Sequence, residues 1–230
     1  MEQPSATPNW IGLARIGLQA LLPVVLVLTS VRLLLTEIFV RLEYNLPGFP
    51  ADRYGLTKTE RLQHATVALE YLLNDSGVEF LGGQRFEDGS AVYNERELRH
   101  MQDVKQVTQS ALRVRRVGAG LILVLLLVAW RGEGGRLVLE ALQDGSRLTA
   151  ILMIVLGVVL LVGFAVIFVG FHQVFFDPNT WTFRFEDTLI RLFPERFWQV
   201  AFGAVALATL LQAGVVWLVA RFLLGRSGQP

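Results

Sequence analysis

Three histidines are the side chains best suited to proton transfer in this sequence, because the chain contains no cysteine. The absence of cysteine excludes thiolate nucleophiles, disulfides, iron–sulfur clusters and cysteine-type zinc sites. A base or a nucleophile must therefore come from His, Ser, Thr, Lys or a carboxylate. Of these groups, an imidazole titrates nearest to neutral pH, so it most readily accepts and donates a proton during a reaction.

His100 has carboxylates at helical spacing on both sides, since Glu97 and Asp103 each lie three residues away. Residues three apart share one face of a helix. A carboxylate one turn away can fix the tautomer of an imidazole and stabilise its charged form, as a general base requires. The same pattern is also typical of a solvated, charged helix face, so the spacing alone leaves both interpretations open.

His172 is the single ionisable residue between Arg147 and Asp177. It follows an uncharged stretch, and ionisable groups at membrane depth are rare and usually functional. His64, by contrast, lies four residues after Glu60, which is the spacing of an ordinary solvated pair on a helix. We therefore take His100 and His172, and not His64, as candidate functional residues.

Sequence templates for other chemistries are missing. The spacings H-x-x-x-H and H-E-x-x-H do not occur, so a metal site built from the two candidate histidines with Asp103 or Asp177 is disfavoured. The chain also lacks a G-x-S-x-G elbow, a Walker A loop and a dinucleotide fingerprint, and we expect no cofactor. Its formal net charge of +1 leaves no basic surface for nucleic acid.

The elements that must position the histidines belong to a membrane protein. Hydrophobic residues make up 53% of the chain and charged residues only 18%, against about 25% charged in soluble domains. The apolar residues form four blocks, and a helix needs about 20 apolar residues to cross the hydrocarbon core. The sequence predicts an all-α membrane protein with four transmembrane helices, at about residues 13–37, 110–130, 148–171 and 198–220.

The predicted helices form a single membrane domain over residues 1–230. The second span is long enough only if its helix begins near Ser110 and the arginines that follow extend to the headgroups. The termini and the 131–147 loop hold more arginine than the 172–197 loop. By the positive-inside rule, the termini face the cytoplasm, and residues 41–109 and 172–197 face outward.

The extracytoplasmic insertion between the first two spans, residues 41–109, is predicted to be helical. Thr57–Glu60 and Asn94–Glu97 each pair an N-cap oxygen with a carboxylate three residues on, which is the pattern of a capping box. These signals predict one helix over about 58–73. A second helix is predicted to begin at Glu95 and to continue without a break into the second span.

The segment between the third and fourth spans, residues 172–197, is dense in aromatic residues. Phe175, Trp181 and Phe185 are among them, and this density is typical of chain that lies in the headgroup region. An interfacial cap that holds the two helices is the simplest interpretation. It does not explain the histidine at the start of the segment.

Three segments of the sequence resemble a known family. They read Tyr54-Gly55-Leu56-Thr57, then Arg99-His100-Met101-Gln102-Asp103-Val104-Lys105, and Phe171-His172-Gln173-Val174-Phe175-Phe176. With Asp187 and Phe193-Pro194, they are similar to the bacterial integral membrane protein family that contains Lit, the lipoprotein intramolecular transacylase. The resemblance spans most of the chain, and its most specific parts are H-M-x-D-V-K and F-H-x-x-F-F.

The resemblance implies an acyltransferase of the bacterial cytoplasmic membrane. Its partners would be membrane lipid and diacylglyceryl-modified lipoproteins. At the outer leaflet it would move the sn-2 acyl chain onto the α-amino group of the N-terminal cysteine, giving the lyso form. The family's working histidines align with His100 and His172. Lys105, Asp187 and Arg191 either shape the site or form ordinary salt bridges, and the sequence predicts no particular oligomeric state.

Such a reaction needs no nucleophile from the protein, because the substrate carries its own amine beside its own ester. Orientation of two such groups contributes on the order of 7–11 kcal/mol in favourable cases. We expect His172 to deprotonate the ammonium and His100, oriented by Asp103, to donate to the oxyanion or the leaving alkoxide. An exchange of these roles and an acyl-imidazole intermediate stay open.

The joint site sets a geometric requirement, because the two imidazoles must lie within about 10 Å of one another. On a straight helix His100 lies about 25 Å before Val117, so a second span that began at Val117 would keep the rings apart. The alternative function is a non-catalytic membrane scaffold that binds a partner protein. A lipid-facing cleft beside both histidines distinguishes the two, since only the enzyme needs one.

Overall fold

The computed structural model describes residues 9–131, 134–177 and 179–226. Eight helices occur within these ranges: α1 (Asn9–Leu34), α2 (Glu37–Asn45), α3 (Lys58–Leu73), α4 (Glu79–Gly82), α5 (Glu95–Arg131), α6 (Gly135–Phe175), α7 (Thr188–Leu192) and α8 (Glu195–Arg226). Extended pairing in the same ranges is limited to one isolated bridge between Arg85 and Ala91. For the described residues, the prediction of an all-α fold is therefore confirmed.

Three helices of the described chain are long and apolar enough to cross a membrane, judged by length and composition. They are Ala14–Leu34 of α1, together with α6 and α8. They overlap the spans predicted at 13–37, 148–171 and 198–220. The remaining predicted span, 110–130, lies within α5, and the count of four spans stays a prediction.

Several helix ends differ from the predicted span bounds, and two of these differences have a local cause. The first helix ends at Leu34 and not at residue 37, because Thr36 caps α2 by accepting a hydrogen bond from the N–H of Phe39 at 3.3 Å. α6 begins at Gly135, so most of the predicted 131–147 loop is helical. Charged residues end the apolar block there, but they keep helical spacing. The helix therefore extends beyond the apolar part of the sequence.

The two predicted capping boxes form as the sequence indicated. Thr57 and Glu60 make both reciprocal hydrogen bonds at the start of α3. At the start of α5, the Asn94 side chain accepts from the N–H of Glu97 at 3.1 Å, and the Glu97 carboxylate accepts from the N–H of Asn94 at 2.8 Å. α5 then continues unbroken to Arg131, as predicted for the helix that begins at Glu95.

The described residues fall into two compact parts, and the prediction of a single domain stays untested. The first part comprises the described chain up to Ser30, Arg113–Gly157 and the described chain from Val205. Its core contains Leu22, Leu26, Leu142, Ala213 and Ala220. The hydroxyls of Ser30 and Thr209 are fully buried and lie 2.7 Å apart, so each of them has a polar partner, as buried hydroxyls require.

The second part comprises Val31–Leu112 and Val158–Ala204 and contains both candidate histidines. A large apolar cluster joins α2, α3, α7 and the start of α8; its fully enclosed members include Val40, Tyr44, Ala65, Tyr71 and Leu192. The hydroxyl of Tyr44 donates to the carbonyl of Leu192 at 2.7 Å. The insertion is therefore a packed helical unit built around α2 and α3.

A close approach of α1 and α6 depends on Gly145. A Cβ at this position would stand 3.3 Å from the backbone Cα of Gln19 and 3.1 Å from a methyl group of Leu22. We expect Gly145→Ala to lower the free energy of unfolding by about 1–3 kcal/mol, because the backbone atom cannot rotate away. The thermal unfolding temperature of the protein in detergent measures this loss.

The matched control is Gly157→Ala on the same helix, where a Cβ would meet no atom within 4 Å. This variant should be neutral or slightly stabilising, because Ala is a better helix former than Gly. Equal losses in the two variants would contradict a special close approach at Gly145.

Candidate active site

The two candidate histidines lie face to face in the second part of the molecule. α5 carries His100 and α6 carries His172, and their ring centroids are 5.9 Å apart with an interplanar angle of 18°. The separation is within the limit that a joint site requires. Side chains from two helices far apart in sequence are thus placed where a single small group could contact both.

Aromatic rings enclose the two imidazoles. The ring of His100 lies 4.9 Å from Phe176 and 5.3 Å from Phe183, and that of His172 lies 4.2 Å from Phe168 and 5.0 Å from Trp181. His100 is only 7% exposed, whereas His172 is half-buried. The aromatic segment singled out in the sequence therefore supplies part of the wall around the histidines, and Phe168, one turn before His172, was missed.

A backbone carbonyl sets the tautomer of His172. Its Nδ1 lies 2.7 Å from the carbonyl oxygen of Phe168. A carbonyl oxygen can only accept a hydrogen bond, so in the neutral ring the proton is on Nδ1. The lone pair of the ring is then on Nε2, which is the nitrogen able to take a proton from a substrate.

The environment of His100 disfavours its charged form. Burial, and then the neighbouring His172, lower the pKa of His100 to about 4. The ring is consequently neutral at pH 7 and is a weak base. Its Nδ1 is buried and has no hydrogen-bond partner in the described part of the chain, and the same holds for the indole nitrogen of Trp181.

Asp103, the expected orienting partner of His100, contacts another residue. Its carboxylate accepts from the hydroxyl of Thr180 at 3.4 Å, and the unpartnered Nδ1 of His100 shows that Asp103 does not hold that nitrogen. The interaction links α5 to the aromatic segment.

Lys105 fixes the turn that follows α3. Its ammonium donates to the side chain of Asn74 at 3.0 Å and to the carbonyl of Ser76 at 2.6 Å. It also lies 4.1 Å from the ring centre of Tyr71. These contacts favour the structural interpretation of Lys105.

Asp187 and Glu97 connect α7 to the first turn of α5. Asp187 accepts from the side chains of Asn94 at 2.9 Å and Arg96 at 2.8 Å. Glu97 accepts from the backbone N–H of Leu189 at 2.7 Å. Because Glu97 precedes His100 by one helical turn, these bonds fix the part of α5 that carries the histidine. The sequence marked Glu97 as a cap but gave no sign of its bond to α7.

Arg191 forms a bidentate pair with Asp52, with distances of 3.0 and 2.9 Å. The pair joins α7 to the loop after α2. Among the described residues, no group of three His, Cys, Asp or Glu side chains could hold a metal ion. The site therefore consists of two imidazoles, their aromatic wall, and carboxylates that hold the surrounding helices.

Comparisons with known proteins point to one family. The family model described as lipoprotein intramolecular transacylase Lit matches residues 16–198. An uncharacterized protein of Aquifex aeolicus is 31% identical over 182 residues, which are 79% of this chain and 81% of that protein.

Solved structures share the fold. The membrane-integral lipoprotein intramolecular transacylase Lit from Bacillus cereus superposes with a TM-score of 0.79 at 20% identity, covering 95% of this chain and 98% of that one. A structure of the same protein with one histidine replaced by alanine gives a TM-score of 0.68 over 95% of this chain and 96% of that one.

Removal of the Glu97 carboxylate should weaken the attachment of α7. Glu97→Ala leaves the buried N–H group of Leu189 without its acceptor, at about 1–3 kcal/mol, and it also removes the acceptor of the part-buried N–H group of Asn94. We expect a clear drop in the thermal unfolding temperature of the protein in detergent. Glu95→Ala, which removes an exposed carboxylate from the same turn, should change it little, and similar drops in both variants would contradict the assignment.

The burial of His100 should make stability fall at acidic pH. Its pKa of about 4 lies below the ordinary 6.5, so between these values the unfolded chain binds a proton that the folded chain does not. As the pH falls through this window, proton binding stabilises the unfolded state. The free energy of unfolding therefore decreases, by at most about 3 kcal/mol. Thermal unfolding measured at several pH values between about 7 and 4 should show this slope.

His100→Gln should flatten the slope, since the replaced side chain does not titrate. Burial also lowers the pKa of His64, but His64 is present in both proteins, so the difference between them reports on His100 and its interaction with His172. An identical pH dependence of the two proteins would show that His100 is not held in its neutral form.

Proposed function

The chain belongs to the lipoprotein intramolecular transacylase (Lit) family, and on this premise we propose that it transfers an acyl chain within diacylglyceryl-modified lipoproteins. The sn-2 acyl group would move from the glycerol oxygen to the α-amino group of the N-terminal cysteine, giving the lyso form. The observation that carries the proposal is the stacking of His100 on His172 at 5.9 Å within an aromatic wall.

The reaction forms one amide bond and breaks one ester bond in the same molecule. The α-ammonium first gives up a proton, and the resulting amine attacks the ester carbonyl. The tetrahedral intermediate carries a negative oxygen and a positively charged nitrogen, which loses a second proton. Its collapse releases the sn-2 oxygen, which takes up one of the two protons, while the other leaves to solvent. The enzyme must therefore accept a proton from nitrogen, stabilise an oxyanion and return a proton to an oxygen.

His172 suits the role of the base. The hydrogen bond from its Nδ1 to the Phe168 carbonyl leaves the lone pair on Nε2. The same bond becomes stronger when the ring is charged, so it also stabilises the imidazolium that forms after proton transfer. The half-buried position of the ring keeps it within reach of a substrate.

His100 suits the role of the donor. With its pKa lowered to about 4 by burial and by His172, it stays neutral while His172 takes up a proton. A neutral imidazole can donate its N–H to the developing oxyanion, and this interaction is stronger in a site that excludes water. Its Nδ1 is buried and is not engaged by any described residue, so no bond to that nitrogen fixes the tautomer of the ring.

The position of the site at the outer leaflet is part of the proposal. Next to His172, Val174 is 76% exposed and Phe175 is 50% exposed. Apolar side chains beside an imidazole suit an approach by acyl chains from the lipid. We further propose the four-span topology with cytoplasmic termini, which would leave the end of α6 and the aromatic segment on the extracytoplasmic side.

The three histidines of the chain provide a matched test. We expect His100→Gln and His172→Gln to lower the rate of acyl transfer about 100-fold or more, as removal of a general acid or base does. His64→Gln is the control. The sequence predicted a solvated His64, but the side chain is buried on α3 and packs against Phe86, away from the histidine pair. The activity of this variant should stay close to that of the unchanged protein.

The assay must separate isomers, because intramolecular transfer leaves the mass of the lipoprotein unchanged. Cells that make the protein together with a diacylglyceryl-modified lipoprotein yield an N-terminal lipopeptide for fragmentation. An acyl group on the cysteine nitrogen identifies the product, and labelling of the free α-amine identifies the substrate. Full activity in either candidate variant would remove that histidine from the mechanism. No product from the unchanged protein would favour the scaffold function.

A further inference from the structure

A cavity of about 400 Å³ lies in the same part of the molecule as the histidines, but neither histidine lines it. Its wall combines basic, acidic and aromatic side chains: Arg53, Arg61, Arg191, Asp52, Tyr54 and Phe185. The wall thus includes three arginines and one acidic residue. The proposed acyl transfer makes no use of this cavity.

The single carboxylate of the wall is already engaged. Asp52 binds Arg191 through both oxygens, and it also accepts from the backbone N–H groups of Leu56 at 2.8 Å and Tyr54 at 3.0 Å. Burial alone would raise the pKa of Asp52, but these hydrogen bonds hold it at about 2. Asp52 is therefore ionised and offsets the charge of Arg191, which leaves the other two arginines unmatched.

Arg61 carries a buried charge with no acidic partner among the described residues. It is 3% exposed, and its guanidinium donates to the carbonyl oxygens of Pro50 at 2.7 Å and Arg191 at 2.9 Å. It also lies 5.0 Å from the ring centre of Phe49. Carbonyls and rings supply only partial negative charge, and a buried cation is costly without a counter-ion.

The cavity lies close to a helix suited to the membrane surface. α2 follows the apolar stretch of α1, which ends at Leu34, and it exposes Ile38 and Leu42 at a spacing of one turn. Its opposite face is buried in the insertion. A short helix with such an apolar stripe beside a candidate span is typical of the headgroup layer, and the chain reaches the cavity wall four residues after Leu46, at Pro50.

The rim of the cavity has the aromatic character of the same layer. Phe185 is 79% exposed and Tyr54 is 51% exposed, although both rings are large and apolar. Exposed aromatic rings beside arginine are typical of protein surfaces at lipid headgroups. The wall thus joins surplus positive charge to apolar surface, and a lipid headgroup has the matching composition.

We propose that this cavity binds the phosphodiester of an anionic phospholipid headgroup. The phosphate oxygens accept hydrogen bonds from Arg53 at the rim and Arg61 in the wall, since guanidinium groups match phosphate geometry. The glycerol backbone lies against Phe185 and Tyr54. Free inorganic phosphate shares the charge but not the apolar part, so the two sources can be told apart.

The test uses the full-length protein, purified in a neutral detergent and freed of lipid. Native mass spectrometry measures the binding of phosphatidylglycerol and of phosphatidylcholine, which share the phosphodiester but differ in net charge. We expect phosphatidylglycerol to bind more tightly. Arg53→Gln should weaken its binding about fivefold, as expected for one arginine near an anionic lipid. Arg53→Lys keeps the charge but not the guanidinium geometry, so it should restore only part of the binding.

Arg85→Gln is the matched control. Arg85 is an exposed arginine of the same insertion whose hydrogen bonds go to the carbonyls of Gly82 and Gln84, and it does not line the cavity. Its loss should leave phosphatidylglycerol binding unchanged. Equal binding of the two lipids, or equal binding by the Arg53→Gln variant and the unchanged protein, would overturn the proposal.

Competition separates the lipid from a free anion. Retention of phosphatidylglycerol in excess inorganic phosphate supports a lipid site. Displacement of the lipid by phosphate at comparable concentration would assign the cavity to a free anion and overturn the proposal. None of these readouts depends on acyl transfer, so a failure here is distinguishable from a failure of the proposed function.

Discussion

Glu97 and Asp187 hold the chain that follows α6 against the first turn of α5, and the geometry of the histidine pair depends on this contact. The bonds to Leu189, Asn94 and Arg96 span more than 90 residues of sequence. Burial raises the pKa of Glu97, and the hydrogen bonds that its carboxylate accepts from backbone N–H groups partly oppose this rise. A buried carboxylate is tolerated here because its oxygens accept hydrogen bonds from these N–H groups.

Two chemically identical side chains acquire different properties from their surroundings. His172 donates to a carbonyl and keeps a defined lone pair, whereas His100 is enclosed by Phe176 and Phe183 and has no such bond on Nδ1. A charge on one ring also disfavours a charge on the other at this distance. The pair therefore accommodates one additional proton more readily than two, which matches a reaction in which one proton is moved at a time.

Local features of this fold were predictable from sequence, and long-range contacts were not. The capping boxes at Thr57 and Asn94 depend on residues three apart, so their patterns predicted the starts of α3 and α5. The partner of Asp103 is Thr180, 77 residues later, and no spacing rule relates the two. The expected bond from Asp103 to His100 relied on helical periodicity alone, and the start of α6 was missed because charged residues ended the apolar block but not the helix.

α7 takes part in both sites that the structure suggests. Leu189 on this helix binds Glu97, one turn before His100, while Arg191, two residues later, binds Asp52 in the cavity wall. A helix of five residues has little means to move at one end without moving at the other. The two proposed sites therefore share one supporting helix, and a coupling free energy between them would have to be equal in both directions.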